Sequence, residues 1–283
     1  MEAKSILWKI AGEPIELALH GIVMGILNVT PDSFSDRGQF FVAETAVEHG
    51  LQMAAEGARI IDVGGESTRP GAHPVLAEIE RKRVVPVIEM LRGKTDAFLS
   101  VDTSKASVAE AALEAGASMV NDVSGGRADP EMMPLVARFR AAFVIMHMQG
   151  TPETMQRAPH YDDVVTEVGD FFRQQYQRAV ACGIDPSAIA FDPGIGFGKT
   201  LEHNLELLRN LPRLRVEDRP IVLGVSRKAF LGNIGMSDNF VDRVDATVAA
   251  TAALRARGAE VFRVHDVKQN VAALRVAESL RAP

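Results

Sequence analysis

The chain has 283 residues, 47% of them hydrophobic and 24% charged, with a formal net charge of -6. That composition is ordinary for a soluble globular protein, and the acidic balance excludes a general nucleic-acid binder, which needs a basic footprint. Cys182 is the only cysteine, so an intrachain disulfide and a cysteine-based zinc site are excluded; it reads as an inert, partly buried thiol.

The first residues, MEAKSILWKIAGEP, lack the basic, apolar, small-residue succession of a signal peptide. No apolar run reaches the roughly 18 residues of a membrane helix, so the expectation is a soluble, cytoplasmic protein. Residues 5–19 hold two short alternating runs around Gly12-Glu13-Pro14 and predict a β-hairpin. A rhythm follows. Eight apolar, β-branched runs (21–29, 58–65, 97–104, 118–125, 141–148, 189–196, 220–227 and 260–267) alternate with Ala/Leu/Glu-rich amphipathic stretches such as 42–57, 105–116 and 163–183. Gly116 and Gly183 close the last two as C-cap glycines. Runs that are apolar on both faces belong in a parallel sheet covered on both sides. Eight such units, with no linker or leftover segment, predict one domain over residues 1–283: a (β/α)8 TIM barrel closed below by the N-terminal hairpin. An open, doubly wound α/β sheet is the alternative.

The polar residues gather at one end of these runs. They are Asn28, Asp102 to Lys105, Asn121-Asp122, His147, Asp192, Ser226 to Lys228, and Arg263 with His265 and Asp266. In a barrel they converge on the C-terminal mouth, where active sites lie. Any one of them could merely cap a helix, as Ser104 could, and His147 reads as a satisfied strand-end histidine. Taken together, polar and charged groups at these strand ends call for partners or a ligand. Arg263, His265, Lys228 and Arg69 favour an anion, and the last two strands of a barrel are a common phosphate site. Asn28 offers a neutral oxygen suited to a Mg2+ that keeps most of its waters. Asp102, Asn121 and Asp192 suit the amino-pyrimidinone edge of a flat heterocycle, with Met146 and Phe197 as apolar walls. The Ser/Gly/Pro-rich loops after the first two strands carry Phe34 and Arg69-Pro70 and have the character of covers that complete a second substrate site.

The stretch DPGIGFGKT (192–200) looks like a phosphate loop, but that motif needs a glycine where this chain has Pro193. Asp192 and Phe197 are therefore its ligand groups, and Lys199 and Thr200 are structural.

NVTPDSFSD (28–36), IDVGGESTRPGA (61–72), VDTSK (101–105), NDVSGG (121–126), MHMQGTPETMQ (146–156), DPGIGFGKT, GVSRKAFLG (224–232) and RVHDV (263–267) together resemble the dihydropteroate synthase family of the folate pathway, in family order. The resemblance implies condensation of (7,8-dihydropterin-6-yl)methyl diphosphate with 4-aminobenzoate. It implies that Asn28 ligates Mg2+ with the diphosphate, and that Thr68, Arg263 and His265 hold the diphosphate. Asp102, Asn121, Asp192, Gly224 and Lys228 would form the pterin site, with Met146 and Phe197 along the ring faces. Phe34, Arg69, Pro70 and Ser226 would shape the aminobenzoate site. Asp36 would stabilise a developing cation, acting with Lys228, Arg263 and His265 in catalysis. The family usually has a small residue where this chain has Arg37. The resemblance also implies a homodimer, through later helices such as 240–258. A pterin-dependent methyltransferase of the same barrel superfamily is the nearest alternative. A non-catalytic pterin- or phosphate-binding protein and a barrel isomerase or aldolase are more distant ones.

Overall fold

The computed structural model describes residues 5–30, 39–234 and 240–280. The chain opens with an antiparallel hairpin, β1 (Leu7–Ile10) and β2 (Glu13–Glu16). Its turn is Ala11-Gly12, both at positive φ (51° and 84°), a two-residue turn whose twist matches that of the strands. The turn thus sits one step earlier than the Gly12-Glu13-Pro14 expected, and Pro14 lies in β2 opposite Lys9.

Eight parallel strands follow: β3 (Ile22–Asn28), β4 (Ile60–Gly64), β5 (Phe98–Asp102), β6 (Met119–Asp122), β7 (Ala142–Met146), β8 (Ile189–Asp192), β9 (Val222–Leu223) and β10 (Val261–Val264). They hydrogen-bond in the order β8-β7-β6-β5-β4-β3-β10-β9. A parallel bridge between Phe191 and Ile221 joins the two ends, so the sheet closes into a barrel and not an open doubly wound sheet. β9 is far shorter than the run 220–227. Pro220 has no N–H to give, and the N–H of Ile221 goes to the buried carboxylate of Glu260 (2.8 Å), so side-chain bonding replaces part of the ladder.

The helices α1 (Gln39–Ala55), α2 (Ala77–Leu91), α3 (Ala106–Ala115), α4 (Met132–Phe139), α5 (Val164–Ala181), α6 (Leu201–Arg209), α7 (Ala229–Ile234), α8 (Phe240–Ala256) and α9 (Val267–Ser279) cover the outside. Gly116 and Gly183 follow α3 and α5 at positive φ (121° and 94°), as C-terminal glycines do. Ser104 does not cap α3. The helix starts after Lys105, and Asp129 Oδ2 accepts the Ala106 N–H at 2.8 Å. Cys182 is exposed, not partly buried, because it sits on the solvent side of the turn that ends α5.

Alternation along the strands sorts the side chains into two sets. Val63, Val101, Val120, Phe143, Phe191 and Phe262 point outward into the large core against the helices. Met24, Ile60, Met119, Val144, Ala190, Val222 and Val261 point inward, where Trp8, Ile10 and Leu17 of the hairpin segment pack against them. Trp8 is fully buried, and its indole N–H donates to Ala188 O at 3.0 Å. The barrel is a filled core with a plugged floor, and the inward positions above that layer turn polar.

Candidate active site

The same two-residue period places the mouth residues. Register aligns Asn28, Gly64, Asp102 and Asn121 side by side across β3 to β6, all inward. A methyl group added at Gly64 would lie 3.6 Å from both Asn28 Oδ1 and Asp102 Cβ, so those side chains flank the bare glycine. One step around, Met146 pairs with Asp192. Asp192 Oδ1 accepts the Gly194 N–H at 2.7 Å, and a Cβ at Gly224 would stand 3.8 Å from Asp192 Oδ2. The glycine thus keeps space open beside the carboxylate.

Below this row lies a buried layer that reasoning from strand ends missed. Asp62, wholly buried, accepts from Ser100 Oγ (2.6 Å), Asn121 Nδ2 (2.9 Å) and Arg263 Nε (2.7 Å). Arg263 also donates through Nη2 to Asp102 Oδ2 at 2.6 Å. Asp62 therefore aims both a guanidinium and an amide at the mouth. The signal was available: an Asp at an inward position within an otherwise apolar run, one period below Gly64. Burial pushes the Asp102 carboxyl up, against the neighbouring Arg263 guanidinium, and carboxylates at Asp62, Glu80 and Asp122 push the same way.

Lys228 donates to the Ile195 carbonyl and stands 4.5 Å from the centre of the Phe197 ring. Burial lowers its pKa to about 8, partly offset by Asp192. Phe197 packs with Val123, Met146, Met148 and Met155, an apolar wall beside these charges. Ser226 Oγ accepts the backbone N–H of His265 (3.1 Å) and lies 3.0 Å from its Nδ1. With the hydroxyl proton given to Nδ1, the ring N–H sits on Nε2. Burial, with the charges of Arg227 and Arg263, lowers the His265 pKa to about 3, so the ring is neutral. Arg227 is turned away from the mouth and clamps Asp266 through Nε (2.8 Å) and Nη2 (2.5 Å).

Thr68, Arg69 and Pro70 ride on the loop after β4, with Arg69 and Pro70 exposed. Among the described residues, neither the Thr68 nor the Arg69 side chain hydrogen-bonds to the mouth. Phe34, Asp36 and Arg37 lie outside the described residues. His147 is satisfied by the Lys199 ammonium, 3.0 Å from its Nδ1, and burial holds its pKa down to about 2. Lys199 is itself buried, and Thr200 caps α6 in a reciprocal pair with His203. Neither faces the mouth as a phosphate ligand would. No cluster of three or more His, Cys, Asp or Glu able to hold a metal occurs among the described residues. The amide oxygen of Asn28 is a single neutral donor, which fits a cation carried mainly by water and ligand oxygens.

The arrangement can grip a flat, polar-edged ring between an apolar wall and buried acids, with cationic and neutral donors beside it for an anion. Comparison with known proteins agrees. The family described as pterin binding enzyme matches residues 24–265. A dihydropteroate synthase from Mycobacterium leprae is 49% identical over 260 residues, spanning 90% of this chain and 91% of that one. The structure of Xanthomonas albilineans dihydropteroate synthase with 4-aminobenzoic acid superposes with a TM-score of 0.91 at 46% identity, covering 99% of this chain and 100% of that one. A structure of the Xanthomonas albilineans protein in complex with 7,8-dihydropteroate gives 0.87 at 43% identity, covering 98% and 99%.

Proposed function

Since the chain belongs to the dihydropteroate synthase family of pterin-binding enzymes, we propose that its barrel mouth grips a pterin diphosphate by both ends and leaves the methylene carbon between them open to an arylamine. The enzyme is a transferase. It condenses (7,8-dihydropterin-6-yl)methyl diphosphate with 4-aminobenzoate, giving 7,8-dihydropteroate and pyrophosphate. The methyltransferase alternative is not favoured, because the close relatives are dihydropteroate synthases.

The observation that carries the residue assignment is the inward row of Asn28, Asp102, Asn121, Met146, Asp192 and Gly224 above a buried Asp62–Arg263 pair. In this reading Asp192, Asn121 and Asp102 bond the pterin edge, and Met146 and Phe197 enclose its faces. Lys228, poised between Asp192 and Phe197, supplies a proton donor and a positive charge beside the ring. Arg263 spends Nε and Nη2 on carboxylates and keeps Nη1 for the diphosphate. His265 contributes its Nε2–H and Thr68 its hydroxyl. Asn28 would hold a Mg2+ that supplies charge neutralisation to the leaving group. Phe34, Arg69, Pro70 and Ser226 would shape the aminobenzoate side, with Ser226 also fixing the His265 tautomer.

No described side chain is placed as a base for the arylamine, itself a weak nucleophile. The supported mechanism is therefore dissociative. Donors preorganised around the diphosphate draw off negative charge first, and Asp36 and Asp192 stabilise the delocalised pterin cation. A homodimer packed through the region of α8, and a cytoplasmic setting, complete the proposal. Among the described residues no helix is long and apolar enough to cross a membrane, and Val276 on α9, which packs against α8, and Leu280 at its end are exposed apolar residues.

The test is turnover of the pterin diphosphate with 4-aminobenzoate and Mg2+, with a sulfonamide as competitor. We expect equimolar dihydropteroate and pyrophosphate, competitive inhibition, and exchange of labelled pyrophosphate into the substrate without 4-aminobenzoate. Obligatory inversion at the methylene carbon would sink the dissociative step, and methyl transfer to a corrinoid would sink the activity.

A further inference from the structure

Outside the mouth lies a partly buried charge cluster that makes no hydrogen bond to the residues assigned to the substrates. Lys105, at the start of α3, donates to Glu66 Oε2 and Glu80 Oε2, both at 2.6 Å. Glu80 in α2 is almost wholly buried, and its Oε1 has no partner among the described residues. Glu66 Oε2 also accepts the N–H of Val75 at 2.8 Å. One carboxylate oxygen therefore closes the loop from Glu66 to Val75 and ties it to Lys105. Arg83 holds the root from the other side, donating to Gly65 O at 2.7 Å. Farther out the tethers are sparse: Gly71 N–H reaches Pro152 O at 3.0 Å, and Arg69 and Pro70 are exposed. A cavity of about 470 Å³ opens beside the loop, with Glu66, Ser67, Lys105 and Pro152 among its walls.

The loop is thus held by ion pairs and side-chain bonds at its root and more sparsely toward its tip, and the root is an ion cluster. Burial works against the Lys105 charge, but the bonds from Glu66 and Glu80 more than offset it and hold the ammonium above its ordinary pKa. We propose that Lys105 is a positioning residue for 4-aminobenzoate: acting through Glu66, it fixes the loop that presents Thr68, Arg69 and Pro70, without touching either substrate. This rests on reading that loop as part of the aminobenzoate site.

The test separates the two substrates. In Lys105→Met the root loses its cation while Arg263, His265, Asp192 and Lys228 stay in place. The KM for 4-aminobenzoate rises about tenfold or more, while that for the pterin diphosphate changes by less than about threefold, since a small misplacement of a binding group is costly only for the ligand it serves. Lys105→Met strands two carboxylates, so Lys105→Met/Glu80→Gln provides a variant without the buried unpaired charge, and Lys105→Arg restores the cation. Glu66→Gln keeps an acceptor for Val75 and weakens the tie to Lys105, and gives an intermediate rise. Equal changes in both KM values, or none, across these variants overturn the positioning role. Arg69→Ala is the control. If it leaves the 4-aminobenzoate KM unchanged, the loop assignment itself has failed. If it raises that KM and the Lys105 and Glu66 variants do not, only the inference about Lys105 has failed.

Discussion

Single residues explain both what could be read from the sequence and what could not. Asn28, Asp102, Asn121, Asp192 and Arg263 were legible because a two-residue period forces strand-end residues to share the inward face. Asp62 carried a signal, a carboxylate at an inward position of an apolar run, but what it and Ser100 do there was not legible, because they lie mid-strand among Ile, Val and Leu, and their partners follow only from the closure that brings Arg263 of β10 against β4 and β5. Lys228 carries a prediction at this scale. Burial holds its pKa at about 8, so the free enzyme loses this charge as pH rises through that value. Affinity for the anionic pterin diphosphate should then weaken by up to about tenfold per pH unit above 8, the limit set by one proton. Calorimetric titration at pH 7, 8 and 9 measures this, and Lys228→Arg, which stays charged, should remove the slope. A flat wild-type profile would exclude the assignment. Folding carries the opposite sign. Because the folded pKa lies below the ordinary 10.5, the unfolded chain binds more protons between the two values. This group's contribution to stability is present above 10.5 and is lost as pH falls through 8.

At the scale of elements, the connection after β8 shows why a motif can mislead. Its glycines resemble a phosphate loop, yet Gly194 and Gly198 are each required by a neighbouring backbone. Gly194 has φ +63°, and a Cβ there would sit 1.9 Å from His147 O; at Gly198, also +63°, it would sit 2.5 Å from Gln149 O. The segment is folded tightly over the end of β7, with Lys199 buried beneath it. Sequence alone could rule out the phosphate motif by its missing glycine, but the reason for the glycines needed the contact between two strand ends. Gly194→Ala should shift the loop, break the Gly194-to-Asp192 bond and cost about 2 kcal/mol or more, as strained backbone with a clash does. The pterin KM should rise with it. Urea denaturation and steady-state kinetics read the two effects, and an alanine variant with native values of both would refute this account of the loop. Elsewhere, helix C-termini at Gly116 and Gly183 were readable from local chemistry, whereas the shortness of β9 was not, because Glu260 takes the Ile221 N–H from 39 residues away.

The molecule as a whole divides along the barrel axis. The hairpin and the lower inward residues form a dry plug; the upper inward residues form a charged mouth, with Asp62, Ser100 and Arg263 between them. In barrels of this kind the lower face serves stability and the upper face chemistry. The hairpin was legible as alternation, and its place as the floor follows from Trp8, which packs with the inward residues of the strands and whose N–H reaches Ala188 just before β8. Trp8→Ala should therefore lower stability by about 3–5 kcal/mol, the usual cost of truncating a buried aromatic residue. Trp8→Phe, which keeps most of the volume and loses the hydrogen bond, should cost about 1–2 kcal/mol. Neither change reaches the mouth, because the Asp62 layer is tied across four strands by Ser100, Asn121 and Arg263 and does not depend on the plug for its bonds. Both KM values should stay within about twofold at temperatures where the variants remain folded. If Trp8→Phe instead raised the pterin KM as mouth variants do, the floor and mouth would be coupled, and the polar layer would have to be regarded as resting on the plug.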